Sequence, residues 1–319
     1  MTRLLCPAPA SFSRRVMVEA GRRLDEARFV AMTQRSFDRE APGFDAVLVR
    51  FQTSLGESVM RSGSRLRAIL SPTTGLDHID LEAARRHGVK VFHLRDQKKL
   101  LASVSATAEL TIALMLALMR KLPQAAGSVL GDRWQTANFR GAEAAGKVLG
   151  IVGYGRLGRK VARTAHALGM KVHAYDIRRA AMPAFVTRCR TLPALLRKAD
   201  VVSIHVPLND ETRGMIGRSE LRRIKPGALL LNTARAAIVD QRAFLDALKS
   251  GQLGGAAVDV LEGEHTIGSA KHPLIAYARS HNNLLITPHI GGATEESIEK
   301  TDMNVLQRYL NWIGRNSHA

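Results

Sequence analysis

Arg235, Glu264 and His289 each stand shortly after an apolar run that reads as a strand. A guanidinium can grip a carboxylate with two parallel hydrogen bonds and polarise a neighbouring carbonyl. An imidazole can give or take a proton near neutral pH. A carboxylate behind the imidazole fixes its tautomer and favours its protonated form. Together the three suit hydride transfer between a nicotinamide and a 2-hydroxy acid. Each alone has a plainer reading: a surface arginine, a solvated glutamate, a histidine capping a helix. Their placement on successive strand ends argues for the set.

A nicotinamide needs a dinucleotide site, and residues 148–176 supply its pattern. An apolar strand over 148–152 leads into Gly153-Tyr154-Gly155-Arg156-Leu157-Gly158, then a helix over 159–168 and a strand over 171–175 ending on Asp176. Gly153 allows the tight turn, Gly155 admits the pyrophosphate, and Gly158 lets helix pack on strand. The helix N-terminus offers amides and partial positive charge to phosphates. Asp176 stands 18 residues beyond Gly158, where an acid can accept from a ribose. Its charge opposes a 2′-phosphate, so NAD is the expected cofactor. Arg178 and Arg179 leave NADP open.

These residues need a scaffold, and strand and helix patterns alternate nearly throughout the chain. This predicts an α/β protein with parallel sheets covered by helices. In the first part, strands are expected over 4–6, 28–32, 46–49, 68–70 and 89–92. After 148–152 and 171–175 they continue over 201–206, 228–232, 256–260 and 284–287. Ligands bind at the carboxyl ends of such strands. A helix over 103–121 is apolar almost all round and reads as a spine or a subunit interface. The helix over 295–310 has no strand left to serve, so it is expected to return to the first unit. The expected division is 1–98 for the first unit, 99–290 for the dinucleotide unit and 291–319 for the returning helix.

Bulk properties exclude little else. The chain has 319 residues, 45% hydrophobic and 5% aromatic, which fits two soluble α/β domains. Its formal net charge is +19. The basic residues are spread along the chain with no run longer than two, so a specific nucleic-acid role is not expected. The apolar run over 110–119 is half of the ~20 residues a membrane span needs. Cys6 and Cys189 have no metal or redox spacing and fit a reducing compartment. The expectation is a cytoplasmic protein with no cleaved signal and no metal.

The chain resembles the D-isomer-specific 2-hydroxyacid dehydrogenases, of phosphoglycerate dehydrogenase type. The matching segments are SPTTGLDHIDLEAARRHGVKV, SATAELTIALMLAL, GKVLGIVGYGRLGRKVA, ADVVSIHVPLNDETRGMI, IKPGALLLNTAR, GAAVDVLEGE and TPHIGGAT, in that order. The resemblance implies two Rossmann/flavodoxin-like domains, a discontinuous substrate-binding lid and an NAD-binding core. It implies catalytic roles for Arg235, Glu264 and His289. It places Arg156 and Leu157 at the pyrophosphate, Asp176 at the adenosine ribose, and His205 and Pro207 near the adenine. Thr233, Ala234, Asp259 and Gly291 fall around the nicotinamide. Thr74, Gly75 and Leu76 would meet the substrate carboxylate, with Arg50 as a further anion contact or a surface arginine. The family also implies a homodimer built around 103–121.

The chain departs from the family in three places. Ala236 replaces the usual Gly after the catalytic Arg, and His265 replaces a common Pro. Ser71 stands where phosphoglycerate dehydrogenases carry an Arg. Glyoxylate or hydroxypyruvate reduction thus competes with phosphoglycerate oxidation. An NADH-sensing corepressor is the remote alternative.

Overall fold

The computed structural model describes residues 1–264 and 272–316. The chain divides into two compact units, Met1–Val104 with Ala293–Ala319, and Ser105–Gly292.

The first unit holds a five-stranded, all-parallel sheet: β1 (Arg3–Cys6), β2 (Glu26–Phe29), β3 (Ala46–Leu48), β4 (Ala68–Leu70) and β5 (Lys90–Phe92). Their order is β2-β1-β3-β4-β5. Side chains alternate between two buried clusters. Leu4, Leu48 and Leu70 pack on one face with Val305, Leu306 and Tyr309. Leu5, Val47 and Ile69 pack on the other with Phe37 and Val59. A parallel sheet buried on both faces needs such apolar strands. The returning helix, Glu295–Asn316, runs past the expected 310. Its Tyr309 meets the Phe92 ring edge-on at 5.9 Å. Leu101 also packs in this unit, which carries the first segment to Val104 rather than to 98.

Arg50 follows β3. It is not a surface arginine, since its side chain is only 11% exposed. Its Nη2 donates to Asp302 Oδ1 at 2.6 Å, and its guanidinium lies 5.1 Å from the Phe12 ring centroid. The Ser13 amide donates to the other Asp302 oxygen at 2.7 Å. Asp302 is wholly buried.

The second unit is a seven-stranded parallel sheet. Its strands are β6 (Val148–Val152), β7 (Lys171–Tyr175), β8 (Val186–Arg188), β9 (Val201–Ile204), β10 (Ala228–Asn232), β11 (Leu253–Val258) and β12 (Leu284–Ile286). Their order is β12-β11-β10-β9-β6-β7-β8. The winding reverses between β6 and β9, and such a reversal opens a crevice at the carboxyl ends of the two strands. The edge strand β8 has no sequence signature, because two of its three residues are exposed. β11 starts earlier than expected, since Gly254 and Gly255 hide its apolar pattern.

The helix Ala106–Met119 is a core element of this unit. Ile112, Leu114, Met115 and Met119 are buried with Leu149, Ile151, Val161 and Val172. By length and composition Lys98–Met119 is long and apolar enough to cross a membrane. The chain breaks it into two helices, and the second is consumed in packing. Large exposed apolar side chains appear just afterwards, at Leu122, Val129, Leu130 and Trp134.

Candidate active site

β6 ends in Gly153, whose φ of 95° only glycine adopts without strain. A Cβ there would sit 2.9 Å from the His205 carbonyl, so the two strands at the reversal approach closely. A Cβ on Gly158 would overlap the Gly153 carbonyl. The helix Arg156–Ala167 starts on Gly155, which has no side chain to cap it. The first-turn amides thus face the crevice as an anion site. Arg156 and Leu157 open this helix. These features fit a bound dinucleotide.

Asp176 follows β7, and its side chain is only 7% exposed. It accepts from the Tyr154 amide at 2.8 Å, which ties it to the glycine turn. Arg178 engages it three times: backbone N at 2.8 Å, and Nε and Nη2 at 3.1 Å each. Burial alone would raise the Asp176 pKa. The Arg178 hydrogen bonds and charge, with the Tyr154 amide, outweigh burial and hold it below the usual carboxylate value.

His205 follows β9, with Pro207 exposed two residues on. Its Nε2 lies 2.8 Å from Ser203 Oγ. Burial pushes its pKa down to about 4, so the ring is neutral at physiological pH.

Beyond β10, Asn232 brackets the turn Thr233-Ala234-Arg235. Its Oδ1 accepts from the Ala234 amide and its Nδ2 donates to the Arg235 carbonyl. Arg235 Nη1 donates to the Ala234 carbonyl at 2.8 Å. Ala236 opens a 3₁₀ turn, which any residue adopts. The loop therefore has no need of the family's glycine at that position.

Beyond β12, the chain folds around Asp259, which is buried at the end of β11. Asp259 accepts from Thr287 Oγ1 at 2.6 Å, from the Ile290 amide at 2.9 Å and from the Gly291 amide at 2.7 Å. Burial raises its pKa against the pull of these donors. A Cβ on Gly291 would come within 2.9 Å of the carboxylate, so only glycine fits.

The loop thus held presents His289 at φ 55°, a left-handed conformation for a non-glycine residue. Such strain costs about 1–3 kcal/mol and persists only where the surroundings impose it. His289 Nδ1 lies 2.5 Å from Glu264 Oε1, and the Leu261 amide holds Glu264 Oε2. The imidazole and carboxylate, 25 residues apart in sequence, therefore form a direct pair. Nδ1 is the ring nitrogen that faces the carboxylate. Arg235 lies in the turn just beyond β10, which is next but one to β12 in the same sheet.

Two residues escaped the sequence reading. Thr111 Oγ1 meets Thr233 Oγ1 at 2.8 Å, and Thr107 Oγ1 donates to the Gly291 carbonyl at 2.9 Å. Both lie on the helix Ala106–Met119, one turn apart. They clamp the arginine and histidine loops to one rigid element. Only their spacing of four gave a hint that they share a helix face. His265 lies outside the described residues.

In the first unit, the loop after β4 carries Thr74, Gly75 and Leu76. Thr73 Oγ1 donates to the Gly75 carbonyl, and Arg95 Nε donates to the Thr74 carbonyl. Ser71, in the place of the phosphoglycerate-type Arg, is buried against Thr73 and His78. It shapes the loop and brings no charge.

Residues 112–291 match the family described as D-isomer specific 2-hydroxyacid dehydrogenase, NAD binding domain. The chain belongs to this family. It is 34% identical to D-3-phosphoglycerate dehydrogenase of Bacillus subtilis over 281 residues, 86% of this chain and 51% of that protein. It is 32% identical to hydroxypyruvate reductase of Thermotoga maritima over 86% of each chain. The solved structure of D-lactate dehydrogenase from Aquifex aeolicus with NAD and lactic acid superposes with a TM-score of 0.83 at 27% identity, covering 99% and 97% of the two chains. The chain spans about half the length of the phosphoglycerate dehydrogenases it matches. The second unit is thus the family's NAD-binding domain, in agreement with the glycine turn, Asp176 and the sheet reversal.

Proposed function

We propose that this protein is an NAD-dependent oxidoreductase that interconverts a 2-keto acid and a D-2-hydroxy acid. The observation that carries this is the Glu264–His289 pair, held on the carboxyl edge of an NAD-binding sheet. NADH, when bound, supplies the hydride to the carbonyl carbon. The residues of the chain do the rest. Arg235 grips the substrate carboxylate and polarises the carbonyl. His289, protonated, gives its Nε2 proton to the carbonyl oxygen, and Glu264 stabilises the imidazolium through Nδ1. In the reverse direction His289 takes the hydroxyl proton. Thr233, Ala234, Asp259 and Gly291 line the nicotinamide end, while His205 and Pro207 lie at the adenine end. The family resemblance gives the amides of Thr74, Gly75 and Leu76 a role toward the substrate carboxylate.

A small unphosphorylated acid such as glyoxylate or hydroxypyruvate fits better than 3-phosphoglycerate. Ser71 offers no cation, and Arg50 Nη2 already donates to Asp302. Loss of NADH absorbance across a panel of 2-keto acids tests the reading. Turnover of glyoxylate or hydroxypyruvate is expected. No turnover of any 2-keto acid, in a protein that binds NADH, would refute it.

The proposed state is a cytoplasmic homodimer. The two cysteines are buried and unpaired, as a reducing compartment allows. The family resemblance implies an interface at 103–121, where half of the residues of the helix Ala106–Met119 are buried inside its own unit. Leu130 and Trp134, 87% and 85% exposed, extend the proposed interface beyond it. Sedimentation should give twice the chain mass, and Trp134→Glu should shift it toward the monomer.

A further inference from the structure

Cations are spread along the chain but not over the fold. Residues 147–198 carry 12 Lys and Arg side chains and 1 acid, Asp176. That acid is only 7% exposed and already meets Arg178. The segment builds one side of the second sheet, from β6 through β7 to the edge strand β8, with the helices Arg156–Ala167 and Leu192–Leu196.

Folding gathers several of these charges on one face of that edge. On the helix Arg156–Ala167, Arg159, Arg163 and His166 fall at i, i+4 and i+7, a single stripe, and all three are exposed. Val161, Ala162 and Ala165 form the opposite, buried side. His166 stacks on Phe185, with ring centroids 4.5 Å apart and 13° between the planes, so the stripe runs out to the start of β8. Val186 is buried with Val161 and Ala162, and the period of two places Arg188 on the same face of the strand. Arg188 Nη1 donates to the Arg178 carbonyl at 3.2 Å, and its Nη2 bonds the Ala180 carbonyl. Arg179, between those two carbonyls, is thereby held at the same edge and is exposed.

Among the described residues, no ion pair ties Arg159, Arg163, Arg179 or Arg188 to an acid. In the first unit, by contrast, Arg3, Arg28, Arg65 and Arg86 each meet one. Like charges held together repel, and a polyanion relieves the repulsion while releasing its own counterions. Guanidinium forks match phosphate oxygens in pairs. The His166–Phe185 stack sets a flat aromatic surface among them, and an unpaired base stacks on such a surface. A protein partner would need an apolar centre to bury. In this segment Leu168 and Ile177 are the large apolar side chains that are exposed.

We propose that the β8 edge of the second unit binds single-stranded RNA, through its phosphates and by stacking, without regard to base sequence. A long basic run is not required, because the charges come from three separate stretches of chain that folding brings to one edge. The surface is independent of which 2-keto acid is reduced.

Fluorescence anisotropy of the full chain with labelled oligo(U) of about 20 nucleotides, longer than a ~4–16-nucleotide site, tests this. Binding is expected, and it should weaken steeply between about 50 and 200 mM KCl as counterion release loses its drive. Arg159→Glu with Arg163→Glu should lower affinity about tenfold or more and flatten the salt dependence. Arg222→Glu with Lys249→Glu makes the same change in net charge on two other helices and should leave affinity within about twofold. Phe185→Ala should weaken binding about fivefold or more at an unchanged salt slope, since stacking carries no charge. Thermal melting of each variant near the wild-type temperature separates lost binding from lost folding. No binding at the lowest salt, or equal loss in the two charge-reversed pairs, overturns the proposal. So does equal affinity for an RNA duplex, for poly-glutamate or for phosphatidylserine vesicles. NADH turnover is not read, so failure of the oxidoreductase reading leaves this test standing.

Discussion

The chemistry narrows to a few atoms. In the proposed mechanism His289 moves the proton, so His289→Ala should lower kcat by about 10²–10⁴-fold, the usual reach of general acid–base catalysis. NADH affinity, followed by fluorescence, should stay within a few-fold. Arg235→Lys should also depress kcat/KM sharply, because a point charge cannot grip a carboxylate in two places. Normal turnover in either variant would remove that residue from the mechanism. His205 carries a pH signature. Its folded pKa is about 4, below the unfolded histidine value of about 6.5. The unfolded chain takes up a proton that the folded chain refuses, so stability falls as pH drops from about 6.5 toward 4. Above that window His205 has no effect. Urea unfolding at pH 7 and pH 5 should show a smaller acid loss in His205→Gln than in the wild type.

Single side chains are aimed by the loops that hold them. Asp259 receives one loop amide on each oxygen, Ile290 on Oδ1 and Gly291 on Oδ2. Asp259→Asn would turn an NH₂ toward one of those amides, leaving two donors face to face. The strained His289 conformation should then relax, since it persists only while its surroundings impose it. The expected outcome is a fall in kcat of about tenfold or more, from a buried donor left unpaired, with a smaller change in the NADH dissociation constant. A fall in NADH affinity alone would place Asp259 in binding instead. Thr107 and Thr111 belong to the same scale. They join the Arg235 and His289 loops to one helix, and no local pattern marks a threonine as such a clamp.

Across the whole chain, the first unit is closed by residues from both ends of the sequence. Arg50 and Asp302, separated by 252 positions, form a buried ion pair with the Ser13 amide on the second oxygen. Breaking such a pair from one side strands a buried charge. Asp302→Ala should therefore cost about 3–5 kcal/mol in urea unfolding. The double change Arg50→Met with Asp302→Leu should recover much of that loss, because an apolar pair of similar volume needs no desolvation. If Asp302→Ala unfolds like the wild type, the pair is not structural. The spread of basic residues along the chain fits a surface that attracts anionic substrate and cofactor.

The alternation of strands and helices, the glycine turn with its acid, and the order of the chemical residues were legible from the chain alone. Each is a local pattern, set by periodicity or by backbone freedom within a few residues. The helix over 295–310 even announced its return, since no strand remained for it to cover. Contacts between distant segments were not legible. The engagement of Asp176 by Arg178, the left-handed His289 and the Arg50–Asp302 pair each depend on which groups folding brings within hydrogen-bond reach. The apolar helix near residue 112 shows the same limit: its composition required burial, but only packing decided against what.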